Sequence, residues 1–297
     1  MKKTVVFGYH NIGISGIKKL IKHNFEIKLV VTHLDNKNEN IWFKSVSEFC
    51  KKNKISFIYF EKSNFVELIK IIELIKPEYI FSFYFRKIFP KEIISLPSIS
   101  FLNMHGSYLP KYRGAAPLNW QIICGERKGG VSLHKVNEKI DGGDIVYQKS
   151  IRIYKKDNPI SLSKKINKTS EIILEKVLPN IESKIKSAKK QLLKGSKIYK
   201  KRSAKDGKIF WENSVIQINN LIRGVAYPYP GAFTYYQNNK IIIWKSRIDY
   251  TKREKSNKKF GYFYKDKRYY KVLTGEGTLI ITKMSKNNFL PYEGSFT

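Results

Sequence analysis

No unbroken apolar run in the 297-residue chain reaches the roughly 18 positions a membrane helix needs, so a transmembrane segment is not expected. A secretory leader is not expected either, because Val5-Val6-Phe7 is interrupted at once by Gly8, Tyr9 and His10. Cysteine is almost missing. Cys50 and Cys124 are the only two, which argues against a disulfide framework and makes the reducing cytoplasm the expected compartment. His10, His105 and His134 lack any Cys/His ligand spacing, so no metal is expected.

Acidic residues are scarce: 24 Asp and Glu face 57 Lys and Arg, for a formal charge of +33. Such an excess often marks a surface for nucleic acid or anionic membrane. Here lysine runs along the whole chain with abundant Ile and Asn, whereas a binding surface concentrates its charge on one face. Lys51-Lys52-Asn53-Lys54 and Thr251-Lys252-Arg253-Glu254-Lys255 therefore read as solvated faces or loops. Neither a nucleic-acid partner nor membrane insertion is expected. A small polyanion, such as a nucleotide diphosphate or a polyglutamate tail, would still be drawn in by the field.

At 42% hydrophobic residues the chain can bury a large core plus a smaller one. Up to about residue 150, short Val/Ile/Phe/Tyr-rich runs alternate with amphipathic stretches, the pattern of a Rossmann-like α/β domain with a parallel sheet. Strands are expected at Thr4–Phe7, Glu26–Thr32, Ser56–Phe60, Tyr79–Phe83 and Ser100–Asn103. Phe65, Leu68, Ile69, Ile72 and Ile75 share one helical face, with Asn64 as N-cap, Glu67 three residues on and Pro77 as the stop. Val131–Val136 and Asp144–Ile153 predict a hairpin-like pair. Asp157-Asn158-Pro159 opens a helix to about Ile185 that Pro179 should break. The expected organisation is a catalytic domain over 1–187, a Lys- and Ser-rich linker over 188–206, and a small β-rich, barrel-like domain over 207–297. In the last, a helix over Asn213–Ala226 precedes strands at Lys240–Trp244, Gly261–Tyr264, Tyr269–Leu273 and Thr278–Thr282.

The first strand leads into Gly8-Tyr9-His10-Asn11-Ile12-Gly13-Ile14-Ser15-Gly16, which lacks Gly-x-Gly-x-x-Gly spacing and does not imply NAD. The informative stretch is Asn103-Met104-His105-Gly106-Ser107-Tyr108-Leu109-Pro110-Lys111-Tyr112-Arg113-Gly114. At the carboxyl end of the fifth strand it sets an amide and an imidazole on alternate residues, facing one crevice where open α/β sheets present ligands. Downstream, Asp141-Gly142-Gly143-Asp144 supplies two candidate carboxylates.

Asn-x-His-Gly-Ser-x-Leu-Pro-x-x-Arg-Gly, followed by Asp141-Gly142-Gly143-Asp144-Ile145, resembles the signature of the N10-formyltetrahydrofolate-dependent formyltransferases. The resemblance spans the chain and includes Phe81-Ser82-Phe83-Tyr84-Phe85-Arg86, Ile222-Arg223-Gly224 and Pro228-Tyr229-Pro230-Gly231-Ala232-Phe233. Val5-Val6-Phe7-Gly8-Tyr9-His10 and Thr32-His33-Leu34-Asp35-Asn36 look most like the branch acting on UDP-4-amino-4-deoxy-L-arabinose. The main rival branch is methionyl-tRNA formyltransferase. Its basic tRNA-gripping insertion is replaced here by Leu34-Asp35-Asn36-Lys37-Asn38-Glu39-Asn40, a poor phosphate clamp. A rival of another class is a non-catalytic folate- or nucleotide-binding protein on the same scaffold.

The resemblance implies formyl transfer from N10-formyltetrahydrofolate to the amine of a UDP- or dTDP-linked amino-deoxy sugar for cell-surface polysaccharide. Asn103 would donate an N–H to the formyl oxygen as charge develops there, an effect worth ~3 kcal/mol of barrier. His105 would move the proton from the amine toward the departing folate nitrogen. Asp141, preferred by the resemblance over Asp144, would raise the pKa of His105. Lys87, Ile88, Phe89, Ala115, Asn137, Glu138, Lys139, Ile140 and Asp141 match donor-contacting positions, although Ala115 stands where the arabinose branch has Arg. Lys201, Arg202 and Tyr229 are the candidates for the nucleotide. Oligomeric state is open, and the aromatic-rich C-terminal strands are compatible with a homodimer.

Overall fold

The computed structural model describes residues 1–36, 39–250, 257–285 and 290–297. Lys37 and Asn38 of the Leu34–Asn40 stretch, and the run Thr251–Lys255, lie outside them. The chain divides into two compact units. The first comprises 1–117, 128–152 and 163–199; the second comprises 118–127, 153–162 and 200–297.

The first unit begins β1 (Lys2–Gly8), α1 (His10–Lys22), β2 (Phe25–Thr32), α2 (Val46–Lys52), β3 (Phe57–Tyr59), α3 (Phe65–Ile75), β4 (Tyr79–Phe83), α4 (Lys91–Ile94) and β5 (Ser100–His105). These five strands run parallel in the order β3-β2-β1-β4-β5. Every residue of β4 is buried, as expected for a strand covered on both faces. Asn64 caps α3 by accepting the Glu67 N–H at 3.0 Å, and Leu68 and Ile72 sink into the core with Val5, Phe7, Val31, Ile80 and Phe101. Lys76, in the left-handed region just before Pro77, ends the helix.

Beyond β5 come β6 (Arg113–Gly114), α5 (Pro117–Ile123), β7 (Lys128–Lys135) and β8 (Ile145–Arg152). The β7–β8 pair is the expected hairpin, and β7 joins the sheet antiparallel to β5. The seven-stranded sheet is therefore mixed. Helix α6 (Pro159–Val177) is opened by Asn158 and Ser161, each side chain accepting the other's backbone N–H at 3.0 Å. It gives way at Leu178–Asn180, around Pro179, before α7 (Ile181–Lys186). Within 188–206, β9 (Ile198–Tyr199) pairs with β6, and Gln191 is buried.

In the second unit, α8 (Val215–Gly224) starts at a Ser214/Gln217 capping box and lays Ile218 and Ile222 against the sheet core formed by Ile241, Ile243, Phe263, Leu279 and Ile281. The antiparallel sheet contains β10 (Ala232–Tyr236), β11 (Asn239–Asp249), β12 (Tyr262–Asp266), β13 (Tyr269–Leu273), β14 (Thr278–Met284) and β15 (Glu293–Ser295), in the order β10-β11-β14-β13-β12-β15. Reciprocal backbone hydrogen bonds between Tyr235 and Thr297 tie β10 to the chain just past β15, so the sheet curls back on itself. Strand β10 was not expected from the sequence, where Pro228–Phe233 reads as a turn; its pairing with Ile241 and Ile243 supplies the missing partner.

Candidate active site

Strand β5 places Asn103 and His105 two residues apart, on one face of the sheet. Because β7 is antiparallel to β5, its His134 falls directly opposite Asn103 and on the same face. The side chains meet, with Asn103 Nδ2 3.1 Å from His134 Nε2. His134 Nδ1 lies 2.7 Å from the Lys135 carbonyl, an obligate acceptor, so Nδ1 carries the proton and Nε2 can accept the Asn103 N–H.

Asp141 completes the cluster. One oxygen, Oδ1, stands 3.5 Å from His105 Nδ1, 3.5 Å from His134 Nε2 and 3.4 Å from Asn103 Nδ2. The other, Oδ2, accepts the Gly114 N–H at 2.8 Å. Burial would push this carboxyl up, but the His105 imidazole beside it and the Gly114 N–H outweigh it and hold the group well below the usual carboxylate range. The second nitrogen of His105, Nε2, donates to the Tyr112 carbonyl at 2.9 Å. Both ring nitrogens thus face acceptors.

The Asp141 backbone is held by hydrogen bonds from Gln191 and, through Ile140, from Arg113. Its φ of 45° is in the left-handed region, which is uncommon outside glycine. Gln191 Nε2 donates to the Asp141 carbonyl at 2.9 Å and to the Gly143 carbonyl at 2.6 Å. Arg113, buried, donates from Nε to the Ile140 carbonyl at 2.8 Å and from Nη1 to Ser196 Oγ at 2.9 Å. Gly143 sits so close to the Lys135 carbonyl that a side chain cannot fit. Asp144 lies apart, its half-exposed side chain 4.0 Å from Lys135 Nζ.

Around this centre, Phe85, Phe89 and Val136 pack against one apolar core, which roots residues 84–89 and 136–141 in the same floor. Lys87 is exposed, with Nζ 5.4 Å from the centre of the Phe60 ring, and Ile88 is 72% exposed. Phe89 is instead drawn inward, edge-on to Phe7 and Phe101. Asn137, Glu138 and Lys139 are exposed, Ile140 is half-buried, and the Ala115 N–H donates to the Tyr199 carbonyl at 2.9 Å. Lys201, Arg202 and Tyr229 belong to the second unit. There Arg202 lies over the Trp120 ring at 4.7 Å and donates to the Asp206 carbonyl at 2.7 Å, while Lys201 is exposed. His134, Arg113 and Gln191 were not singled out for the site by the sequence; only the Tyr-Arg-Gly of the motif hinted at the second.

The formyl transferase family matches residues 2–178 and its C-terminal domain matches residues 201–293, so the chain belongs to the formyl transferases. Among curated proteins it is 44% identical over 249 residues, 84% of this chain, to the bifunctional polymyxin resistance protein ArnA of Wigglesworthia glossinidia brevipalpis. The match spans 38% of that relative's length. Among solved structures it is similar to WlaRD, a sugar 3N-formyl transferase determined in the presence of dTDP and 5-N-formyl-THF, with a TM-score of 0.67 and 26% identity over 98% of this chain and 99% of that one. An N-formyltransferase from Helicobacter canadensis, solved with folinic acid and dTDP-3-aminofucose, shares the fold at a TM-score of 0.70 and 24% identity, covering 95% of this chain and 99% of that one.

Proposed function

We propose that this chain transfers the formyl group of N10-formyltetrahydrofolate to the amine of a nucleotide-linked amino-deoxy sugar, in the cytoplasm and for cell-surface polysaccharide. The observation that carries the reading is the cluster in which one Asp141 oxygen stands 3.5 Å from His105 Nδ1 and 3.4 Å from the Asn103 amide nitrogen, with His134 holding that amide in orientation. The similarity to WlaRD, a sugar 3N-formyl transferase determined in the presence of dTDP, supports a sugar-nucleotide acceptor.

The donor supplies an activated one-carbon unit. The residues assigned to it fit a flat heterocycle with a polar edge: Ile88 is a large exposed apolar side chain, and Asn137, Glu138 and Lys139 form an exposed polar rim. Lys87, Phe89, Ala115 and Ile140 complete that assignment, Phe89 from below as part of the floor. Lys201, Arg202 and Tyr229 are assigned to the nucleotide of the acceptor on resemblance alone.

Asn103 has two amide protons, one held by His134 and the other reaching Asp141 at 3.4 Å. The longer, weaker contact is the one a developing oxyanion displaces. His134 keeps the amide oriented as a donor before the reaction starts, which is the condition for stabilising charge without reorganisation. His105 Nε2 is committed to the Tyr112 carbonyl, so the proton that moves is the one on Nδ1. Asp141 stays ionised beside it and stabilises the protonated ring.

The test is a panel assay measuring consumption of N10-formyltetrahydrofolate against UDP- and dTDP-linked amino sugars. Formylation of at least one, with the formamide product identified by mass spectrometry, is the expected result. Consumption with charged initiator tRNA and with no amino sugar would overturn the reading.

A further inference from the structure

The loop after β4 carries Lys87, Ile88 and Phe89, yet it begins with an exposed left-handed residue, Tyr84, and needs an anchor. That anchor comes from the end of β2. His33, 5% exposed, receives the backbone N–H of Arg86 on Nε2 at 3.1 Å, and its ring stacks on Phe85 with centroids 4.4 Å apart. Its other nitrogen, Nδ1, lies 2.6 Å from Glu61 Oε1, and Glu61 Oε2 accepts the Leu34 N–H at 2.9 Å. A backbone N–H can only donate and a carboxylate can only accept, so His33 carries its proton on Nδ1 and offers a lone pair at Nε2.

We infer that His33, oriented by Glu61, is a positioning residue that pins the 84–89 loop through the Arg86 N–H and thereby holds the donor-facing Lys87 and Ile88 in place. This rests on the assignment of that loop to formyl-folate. The contact exists only while Nε2 is unprotonated, so the loop is released when His33 takes up a second proton. The charged groups described around it bear on that event. Burial resists it most, Glu61 favours it, and the cations of Arg86 and Lys87 oppose it; Tyr9, Phe60 and Phe85 contribute uncharged rings. The balance holds His33 below the ordinary histidine range. The anchor is thus in place at neutral pH and fails on acidification.

Two measurements on the full chain test this. The first is amide exchange in the peptide covering residues 84–89, with no ligand present. The second is binding of folinic acid across pH. His33→Leu, which keeps an apolar contact but offers no acceptor, should lose protection of the Arg86 amide and weaken folinate binding about fivefold, the value of one hydrogen bond. His33→Gln retains an acceptor that does not titrate, and should restore both while abolishing the acid-side loss of binding seen in the wild type. Unchanged Arg86 protection in a folded His33→Leu protein would overturn the inference. A wild-type chain that binds no folinate would instead overturn the assignment of function, and the exchange measurement would still decide the role of His33.

Discussion

Asn103 and His134 form a cross-strand pair whose side chains meet at 3.1 Å, and this pair decides which atom of the amide faces Asp141. Were the amide reversed, its oxygen would face the Asp141 carboxylate, and the donor proposed for the formyl oxygen would be gone. Asn103→Ala should therefore lower kcat by about 10²–10³-fold, as loss of one oxyanion donor does, with little change in KM for the folate. His134→Phe should show a smaller kcat defect in the same direction. Steady-state kinetics on both variants, with circular dichroism confirming the fold, checks this.

The two carboxylates of the Asp141–Asp144 loop can be separated by experiment. Asp141→Asn should reduce turnover by at least about 10²-fold, the usual scale for losing support of a general acid-base group. Asp144→Asn should retain near-normal activity, since its half-exposed side chain lies 4.0 Å from Lys135 Nζ and, among the described residues, outside the cluster of Asn103, His105, His134 and Asp141. The opposite ranking would refute the assigned mechanism.

Acid stability should show two windows. His10, buried among Phe43, Trp42 and Tyr84 and near Arg86, is pushed down to about 3, chiefly by burial and then by the Arg86 charge. The unfolded chain takes up this proton near pH ~6.5 and the folded chain resists it, so stability falls as pH drops from there toward about 3. For Asp141, held below the usual range, the stabilisation is present above the unfolded pKa of ~3.9 and is lost as pH falls below it. His10→Asn tolerates the positive φ of that position and does not titrate, so it should make the upper window shallower, leaving the part due to His33, and leave the lower one unchanged. Urea melts between pH 7 and 3 would show it.

Gly143→Ala should be more damaging than most glycine substitutions in a loop. Its added carbon would collide with the Lys135 carbonyl, which is fixed within the sheet, so the strain falls on the segment carrying Asp141. A lower melting temperature together with near-complete loss of turnover is expected; wild-type behaviour would show the loop to be slack.

Much of the first sheet is legible in sequence because its strands are short, buried and evenly spaced, and Tyr79–Phe83 is recovered to the residue. Asn103 and His105 are legible because their relationship is local, two positions on one strand. His134 is not: its place beside Asn103 depends on an antiparallel register between residues 31 apart, which no spacing rule reveals. The same holds for β10, whose tyrosines and phenylalanine look like part of a proline turn until the partner strand is in place. Arg113 and Gln191 escape for a related reason, since each acts through carbonyl groups of a distant loop and leaves no mark in that loop's side chains.

That last arrangement has a consequence for the order in which the protein is made. Gln191 grips the backbone of a residue 50 positions earlier, and Ser196 receives Arg113 from 83 positions earlier. On the ribosome the sheet and both histidines emerge well before their clasp. The segment that clasps the Asp141 backbone is therefore the last part of this cluster to leave the exit tunnel, and the loop is expected to gain its full rigidity only after residues 191–199 have emerged.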